Sequence, residues 1–291
     1  MSDYKDYQLI DSGDFRKLEQ VGPYRFIRPS PQAVWSPVLP MEKWQGVDAE
    51  YKRFAGGDGK WYVANQEIKD AWVIEVEGLK LRIKMTDFGH LGIFPEQMIN
   101  WRRLGQQVEA MVNHGVQPRV LNLFAYTGLA TLACAQAGAE VVHIDASKTS
   151  VATGRENAEL NGLADASIRW IIDDAQKFVA REVRRKNKYQ GIILDPPSFG
   201  RGAKNEVWKI EEHMIPLLRQ LKEILDYENY FVLLSSHSTG YTPVALKNLL
   251  NIEFDMEFPE ILHEEMLVAH RDHGTELPSG ASAWVCSHRY F

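Results

Sequence analysis

Hydrophobic and polar residues follow two different spacings along the chain. Between residues 72 and 85 the spacing is two, because Leu79, Leu81 and Ile83 alternate with basic residues after a turn at Gly78. This pattern predicts a β-hairpin with one apolar face and one basic arm, and a basic arm is usually a solvated surface. Several prolines between residues 29 and 40 exclude a helix there. We therefore expect residues 1–94 to form a small β-rich domain.

Farther along the chain the spacing becomes helical. Residues 95–116 carry apolar side chains three or four positions apart, and Gly115 offers a stop, so we predict a leader helix. From residue 117 to 291 apolar runs and helical segments alternate. Strands are predicted at 120–124, 140–145, 167–172, 192–195, 230–235 and after Leu277, and helices at 129–137, 149–161, 175–185, 205–225 and after Pro243. This alternation predicts an α/β domain with a doubly wound, mostly parallel sheet, whose ligands bind at the carboxyl ends of the strands.

Composition narrows the class of protein. The 291 residues are 45% hydrophobic and 25% charged, which is ordinary for a globular protein. We find no apolar stretch of membrane length and no secretory signal in the polar N-terminus, so we expect a cytoplasmic protein without a membrane partner. Two cysteines are too few for a disulfide framework or a zinc site, and we expect no metal. The net charge of −6 disfavours broad nucleic-acid binding, so any RNA contact requires a local basic surface.

One strand end carries the most informative motif. An apolar run ends at Asp195, Pro196, Pro197, Ser198 and Phe199. Two successive prolines fix one extended backbone shape, so carbonyl oxygens around Asp195 and Pro196 can accept hydrogen bonds. With Phe199 as a stacking ring, the motif favours a flat, nitrogen-rich substrate, and we expect an enzyme that transfers a methyl group to a nucleobase. The alternative is an ordinary proline turn that ends a strand.

A second motif follows the first predicted strand of the α/β domain. It reads Asn122-Leu-Phe124-Ala-Tyr126-Thr127-Gly128 and passes from a strand through a tight turn into a helix. Gly128 lets the backbone approach a ligand closely, and the N-terminus of the next helix favours a carboxylate. The motif is not GxGxxG, and by itself it is weak evidence.

Acidic residues end the next two strands. Asp145 follows the turn by about 20 residues, the distance at which a carboxylate commonly binds the hydroxyl pair of a ribose. Asp173 and Asp174, which precede Ala175, can accept a hydrogen bond from an adenine amine. Each aspartate alone is equally suited to cap a helix. Their order at successive strand ends favours a site for an adenosyl ligand beside a base pocket.

Residues 119–291 resemble the class I S-adenosylmethionine-dependent methyltransferases. The resemblance is to the bacterial methyltransferases of 23S ribosomal RNA, and it is carried by the segment from Asn122 to Gly128, by Arg155-Glu-Asn157 with Leu160-Asn161, and by Asp195-Pro-Pro-Ser-Phe199. It implies a Rossmann-like sheet of seven strands closed by an antiparallel strand, S-adenosylmethionine as the cofactor and 23S ribosomal RNA as the substrate.

The resemblance also implies roles for individual residues. In that family the first motif holds the amino-acid end of the cofactor, the residue matching Asp145 binds the ribose, and the residue matching Asp174 holds the adenine. The segment 89–97 is similar to the family's segment before the catalytic domain, where Gln97 can touch the cofactor. The expected cofactor-binding residues are Gln97, Asn122, Phe124, Tyr126, Thr127, Gly128, Asp145, Ala146, Ser147, Asn157, Asp173, Asp174, Ala175 and Asp195. The expected catalytic residues, which face the target base, are Asp195, Pro196, Pro197 and Phe199.

The sequence favours a nitrogen atom as the acceptor. Methylation at C5 of cytosine uses a cysteine thiolate, and neither Cys134 nor Cys286 lies in a motif loop. A nitrogen lone pair needs no covalent intermediate once it is aligned, so guanine N7 or an exocyclic amine is the better candidate. His237, after the strand at 230–235, can accept a proton, but a histidine at such a place is more often structural.

The loop after the Asp-Pro-Pro motif is a candidate for contact with substrate. Two glycines accompany Arg201 and Lys204, so we predict a closing loop that binds a phosphate.

Two other functions stay open. One is a methyltransferase for a small molecule or a protein side chain, which the acidic net charge and the unfamiliar N-terminal region favour. The other is a non-catalytic module that binds the adenosyl cofactor. The sequence leaves the oligomeric state open.

Overall fold

The computed structural model describes residues 6–54, 58–202, 206–255 and 260–291. The chain divides into two compact units. The first comprises Met1–Met98 and Leu267–Ser279, and the second comprises Ile99–Met266 and Gly280–Phe291. The sequence pattern places residues 267–279 in the C-terminal domain. In the structure these residues belong to the first unit, together with the N-terminal residues. The domain boundaries predicted at residues 94 and 116 stay predictions.

The first unit is β-rich, as the sequence pattern predicts. One sheet consists of β1 (Tyr7–Gly13), β2 (Arg16–Val21), β3 (Tyr24–Pro29), β4 (Ala49–Arg53) and β5 (Gly59–Val63), in that order. Strands β3 and β4 run parallel, and the other neighbouring pairs run antiparallel. Two short 3-10 helices cover Met41–Trp44 and Pro95–Gln97.

The predicted hairpin is present in this unit. It consists of β6 (Trp72–Val76) and β7 (Leu79–Ile83), which pair antiparallel. The apolar residues of β7 are buried and its basic residues are exposed, as the period of two requires. On the buried face the Trp72 ring stacks on Phe26 with ring centroids 5.9 Å apart, and Trp72 Nε1 donates a hydrogen bond to the Val21 carbonyl oxygen at 3.1 Å. The alternating pattern thus supplies part of the core of the first unit.

The second unit is built around a sheet of seven strands in the order β10-β9-β8-β11-β14-β16-β15. Its strands are β8 (Arg119–Leu123), β9 (Glu140–Asp145), β10 (Ile168–Ile172), β11 (Gly191–Leu194), β14 (Phe231–Ser236), β15 (Leu262–Ala269) and β16 (Glu276–Cys286). The helices are α1 (Met98–Asn113), α2 (Leu129–Gln136), α3 (Lys148–Leu160), α4 (Ala175–Arg185), α5 (Ile210–Ile224) and α6 (Pro243–Phe254). The strands from β10 to β14 run parallel, and β16 runs antiparallel to β14. The predicted doubly wound, seven-stranded Rossmann-like sheet is confirmed.

Helices cover both faces of this sheet, which explains the unbroken apolar runs of its central strands. Every residue of β11 and β14 is buried. Helices α4, α5 and α6 pack on one face through residues such as Phe178, Leu218 and Leu250, while α1 packs on the other through Leu104 and Val108. Because the central strands are parallel, their carboxyl ends lie at one edge of the sheet.

One helix begins later than its sequence pattern predicts. Helix α5 starts at Ile210 instead of near residue 205, because β13 (Val207–Lys209) pairs antiparallel with β12 (Phe199–Arg201). The strand β15 was also absent from the sequence prediction.

In the part of the chain that the structure describes, no helix combines the length and the hydropathy needed to cross a membrane.

Candidate active site

The candidate site lies at the carboxyl edge of the sheet, where the strand order reverses. Strands β9 and β10 lie on one side of β8, and β11 and β14 lie on the other. Ligands of doubly wound sheets bind in the crevice at such a reversal. Leu123 at the end of β8 is level with Ile144 on one side and with Leu194 on the other. The residues that follow these strands, Phe124 and Asp195 among them, therefore begin at the same level of the sheet.

The turn after β8 has an unusual backbone. Phe124, Tyr126 and Gly128 have φ angles of 56°, 51° and 88°. The left-handed conformation costs a residue other than glycine about 1–2 kcal/mol, and it persists where the surroundings hold it in place. The Ala125 N–H donates to the Ile144 carbonyl oxygen at 3.0 Å and helps to hold this turn. The turn leads into the N-terminus of α2, whose first N–H groups favour a negatively charged ligand.

Asp145 ends β9 and fastens the turn after β8. Its Oδ2 accepts a hydrogen bond from the Tyr126 N–H at 2.8 Å, and its Oδ1 accepts one from the Ser147 N–H at 2.8 Å. Burial raises the pKa of the Asp145 carboxyl, and the two backbone donors oppose that rise. Each carboxylate oxygen can accept two hydrogen bonds. Asp145 can therefore hold the turn and still accept hydrogen bonds from a diol.

Helix α3 is capped by Ser147 and contacts the same turn. Ser147 Oγ accepts a hydrogen bond from the Ser150 N–H at 3.1 Å, so the capping role that was the alternative for Asp145 belongs to Ser147. Farther along α3, the buried Asn157 donates from Nδ2 to the Thr127 carbonyl oxygen at 3.0 Å. The predicted residues Thr127, Ser147 and Asn157 are thus brought together around one turn, with Ala146 between Asp145 and the cap.

A buried polar chain connects β8, α2 and β9. Asn122 Nδ2 donates to Thr131 Oγ1 at 2.9 Å, and Thr131 Oγ1 lies 3.0 Å from His143 Nδ1. All three side chains are buried. Asn122 therefore helps to fix α2 on the sheet, and its predicted contact with the cofactor stays a prediction.

The buried His143 makes the stability of the fold depend on pH. Burial lowers the pKa of His143 to about 3, and the positive charge of Arg155 adds to this effect. The unfolded chain binds a proton near pH 6.5 and the folded chain does not, so stability falls as the pH decreases from about 6.5 toward 3. Between pH 6.5 and 4.5 we expect a loss of about 2 kcal/mol in the free energy of unfolding from this group.

Urea unfolding at the two pH values measures this loss. We expect the His143→Gln variant to lose about 2 kcal/mol less than the wild type over that interval. The exposed His114 serves as the matched control, and His114→Gln should keep the wild-type pH dependence. Identical pH dependence in the wild type and in His143→Gln would contradict the assignment.

Two acidic residues precede α4, and the structure gives each a structural partner. Asp174 caps the helix, because its Oδ1 accepts a hydrogen bond from the Lys177 N–H at 2.9 Å. Asp173 forms an ion pair with Arg181. Asp174 therefore caps a helix, which is the alternative role that the sequence allowed. The predicted contacts of Asp173, Asp174 and the buried Ala175 with an adenine stay predictions.

Asp195 follows β11 and is held by the neighbouring strand β14. Ser235 Oγ donates a hydrogen bond to Asp195 Oδ1 at 2.8 Å, and His237 Nε2 lies 3.7 Å from the same oxygen. No sequence motif indicates Ser235, which is 40 residues away from Asp195 in the chain. The strand order could have indicated it, since β11 and β14 pair in parallel with Leu194 level with Leu234.

Trp208 braces the Pro-Pro segment. Its Nε1 donates to the Pro197 carbonyl oxygen at 2.7 Å, and its ring packs on Phe124 with centroids 4.7 Å apart. This residue therefore joins the proline segment to the turn after β8.

Phe199 is 53% exposed at the start of β12, and the Arg201 guanidinium lies 5.8 Å from its ring centroid. An exposed ring beside a cation can stack on a flat ligand and attract a negatively charged group.

Other predicted residues lie in several parts of the structure. Arg201 lies in β12 and not in an open loop, because it pairs with Val207, and Lys204 lies outside the described residues. Gln97 belongs to the first unit, where it is buried, and its contact with the cofactor stays a prediction. Cys134 and Cys286 are free, and burial raises the pKa of both thiols, which disfavours the thiolate form.

Three possible metal ligands come together in the first unit. Asp11, His270 and His273 place their ligand atoms within 4.8 Å of one another. Asp11 Oδ2, however, already accepts hydrogen bonds from the Leu39 N–H at 2.8 Å and from Trp44 Nε1 at 3.0 Å. The two histidine rings stack with centroids 4.1 Å apart, and an imidazole lone pair lies in the ring plane, so stacked rings do not aim at one ion. This cluster fits a structural polar network better than a metal centre.

Comparison with known proteins identifies relatives of the whole chain and of its sheet domain. The sequence profile of the family described as S-adenosylmethionine-dependent methyltransferase matches residues 49–235. A crystal structure described as the SAM-dependent methyltransferase from Agrobacterium tumefaciens is 36% identical in sequence, and the match covers 99% of this chain and 92% of that chain with a TM-score of 0.91.

Two curated bacterial relatives match about half of this chain. The ribosomal RNA large subunit methyltransferase K/L of Vibrio cholerae serotype O1 is 31% identical over 157 residues, which is 53% of this chain and 21% of the relative. The ribosomal RNA large subunit methyltransferase I of Aeromonas salmonicida is 36% identical over 129 residues, which is 44% of this chain and 31% of the relative. The chain thus matches less than a third of the length of either relative.

Proposed function

Because the chain belongs to the S-adenosylmethionine-dependent methyltransferase family, we propose that it methylates a nitrogen atom of a base in large-subunit ribosomal RNA. It is an enzyme, and its cofactor is S-adenosylmethionine. The proposal concerns the acceptor. The observation that carries it is the end of β11, where the Asp195 carboxylate is held by Ser235 and the half-exposed ring of Phe199 follows a rigid Pro-Pro segment.

The residues at the carboxyl edge of the sheet fit the cofactor. The N-terminus of α2 after Gly128 suits a carboxylate, and the buried Asp145 keeps acceptor capacity for the ribose hydroxyls. A Cβ at position 128 would make ordinary contacts of 3.5 Å with His143 and Trp170, so the φ of 88°, which glycine adopts without strain, is the reason for glycine at this turn. When bound, S-adenosylmethionine supplies a methyl group on a positively charged sulfur.

The residues after β11 suit a nitrogen acceptor. The Asp195 carboxylate and the Pro196 carbonyl oxygen accept hydrogen bonds from an exocyclic amine, and Phe199 stacks on the base. These contacts fix the position of the nitrogen and leave its lone pair free, and such orientation supplies much of the acceleration in group transfer. For an amine acceptor, Asp195 Oδ1 takes up the proton, and His237 Nε2 at 3.7 Å is the next acceptor.

Carbon-5 chemistry fits these residues poorly. The end of β14, where a nucleophilic cysteine would be required, carries Ser235 and Ser236, and both are buried. Cys134 lies fully buried in α2 within the core of the sheet domain. Attack on a pyrimidine ring carbon uses a cysteine thiolate, and the Ser235 hydroxyl, whose hydrogen bond goes to Asp195, is a poor substitute for it. The acceptor we propose is therefore guanine N7 or an exocyclic amine.

Support for an RNA acceptor comes from the two curated relatives, which are named for large-subunit ribosomal RNA. The rival acceptors, a small molecule or a protein side chain, are favoured by the net charge of −6. Transfer of tritiated methyl from S-adenosylmethionine to RNA decides between them. We expect label in large-subunit RNA from a strain that lacks this protein and none in RNA from its parent. No label in either RNA, with cofactor binding intact, would exclude the RNA proposal.

A further inference from the structure

A tight turn over residues 86–90 of the first unit has a dense set of internal hydrogen bonds. The Thr86 N–H donates to the His90 carbonyl oxygen at 2.9 Å, and the Gly89 N–H donates to the Thr86 carbonyl oxygen at 3.0 Å. The Thr86 hydroxyl donates to the His90 carbonyl oxygen at 3.0 Å and accepts from the His90 N–H at 3.0 Å. Backbone held in this way keeps one conformation.

Side chains from the five-stranded sheet fasten this turn from outside. Tyr51 donates its hydroxyl to the Asp87 carbonyl oxygen at 3.0 Å, and Arg28 Nη1 donates to the Gly89 carbonyl oxygen at 3.0 Å. Trp61 Nε1 donates to the carbonyl oxygen at the first residue of the turn at 2.8 Å. Gly89 has a φ of 79°, and a Cβ there would lie 2.5 Å from the Tyr51 ring. The turn and its support are therefore built as one rigid piece.

The rigid turn presents Phe88 to solvent. The Phe88 side chain is 75% exposed, more than any other large apolar side chain in the described ranges. Leaving a phenylalanine ring in water forgoes the favourable free energy of its burial. The hydrogen bonds of residues 86–90 hold the backbone on both sides of Phe88, so the direction of its Cα–Cβ bond is set by a defined turn. A preorganised, exposed aromatic ring is the form that stacking sites for bases take.

A positively charged cavity lies beside this ring. It has a volume of about 150 Å³, and Phe88 is part of its wall. The cations that line it are Lys17, Arg28 and Arg53. Glu19 pairs with Lys17 at 3.4 Å and with Arg28, and Glu96 also lines the cavity. These three cations exceed the two carboxylates by one charge, on a chain whose net charge is −6.

Arg53 supplies the charge that is open to a ligand. It lies exposed at the end of β4, and it forms no ion pair with another residue that the structure describes. On the measure by which one water needs about 10–15 Å³, the cavity offers about 150 Å³, which leaves room for a phosphate group. Arginine is the side chain best suited to hold a phosphate through paired hydrogen bonds.

We propose that Phe88 and the cavity beside it form a binding site for an unpaired nucleotide of RNA, with the base stacked on Phe88 and a phosphate at Arg53. The site lies wholly within the first unit. The inference rests on the proposed function, because it assigns to this unit a contact with the RNA acceptor. It also requires a single strand, since bases inside a duplex are already stacked on one another and do not offer a free face.

Binding of a labelled oligonucleotide tests this site. The probe is a fluorescein-labelled single-stranded RNA of about 12 nucleotides, and the comparison is the same strand in a duplex. Fluorescence anisotropy with the full chain should show tighter binding of the single strand. We expect Phe88→Ala to weaken that binding about tenfold and Phe88→Trp to keep it within about twofold. Arg53→Ala should reduce the slope of log Kd against log salt by about 0.7.

Phe15 provides the matched control. It is a 60% exposed phenylalanine in the same unit, so Phe15→Ala removes an equal side chain from another place. We expect Phe15→Ala to bind as the wild type does, and the Tm of every variant checks that the fold is kept. Equal affinities of Phe88→Ala and Phe15→Ala would overturn the inference, as would absence of single-strand binding by the wild type. Methyl transfer to RNA is a separate readout. Transfer by the wild type together with normal single-strand binding by Phe88→Ala refutes only this site, whereas absence of transfer by the wild type refutes the proposed function.

Discussion

Replacing Asp195 by alanine lowers the turnover of methyl transfer to RNA by about 100-fold or more and changes the affinity for S-adenosylhomocysteine by only about threefold. Asp195 Oδ1 is positioned by Ser235 at 2.8 Å, at the strand end where the target base is proposed to bind. Without the carboxylate, an amine loses both its hydrogen-bond acceptor and the group that takes up its proton. Single-turnover kinetics together with calorimetric titration of S-adenosylhomocysteine separates the two effects.

Two further variants sharpen this experiment. Asp255→Asn is the matched control, because that aspartate is 85% exposed at the end of α6 and its replacement should leave turnover within about twofold. Ser235→Ala removes the hydrogen bond that positions Asp195 and keeps the carboxylate, so we expect a smaller loss of about fivefold to tenfold. Full turnover by Asp195→Ala with cofactor bound would show that the reaction takes place elsewhere.

Replacing Asp145 by asparagine weakens the binding of S-adenosylhomocysteine by about 10- to 100-fold. The carboxylate accepts hydrogen bonds from the N–H groups of Tyr126 and Ser147, and each of its oxygens keeps acceptor capacity for the ribose that we propose binds here. An asparagine amide presents one N–H₂ group where an acceptor is required, so it disturbs the turn and loses a charged acceptor. Calorimetric titration gives the affinity, and the Tm shows how much of the loss is structural.

The control for Asp145→Asn lies on the same strand. Glu140 begins β9 and is exposed, so Glu140→Gln changes a charge at the far end of the strand and should leave the affinity unchanged. Because burial raises the pKa of the Asp145 carboxyl, this group takes up a proton at a higher pH than an exposed aspartate does. As the pH is lowered, the affinity of the wild type for S-adenosylhomocysteine should therefore begin to fall at that higher pH. Wild-type affinity of Asp145→Asn would exclude Asp145 from the cofactor site.

The sequence predicted the parts of the site that depend on strand order. Asp145 and Asp195 end parallel strands, and the rule that ligands bind at such ends is enough to bring them to one edge of the sheet. The seven-stranded sheet and its antiparallel closing strand are confirmed. Local signals were also sufficient for the hairpin of β6 and β7, since a period of two with one buried face defines its register.

The features that the sequence did not indicate depend on contacts between distant residues. Helix α5 starts late because Val207–Lys209 pair with Phe199–Arg201, and nothing in the helical spacing after residue 205 indicates that pairing. Ser235 matters only because it reaches Asp195 from a neighbouring strand. The exposed ring of Phe88 owes its position to Tyr51 and Gly89, which meet only in the folded first unit.

The identity of the methylated nucleoside shows whether the enzyme methylates a nitrogen, a carbon or an oxygen atom of the RNA. Large-subunit RNA from a strain that lacks this protein is incubated with the enzyme and S-adenosylmethionine, digested to nucleosides and analysed by mass spectrometry, with Asp195→Ala as the inactive control. We expect one new nucleoside that carries its methyl group on nitrogen, at guanine N7 or at an exocyclic amine. A methyl group on carbon 5 of a pyrimidine or on a ribose oxygen would contradict this expectation.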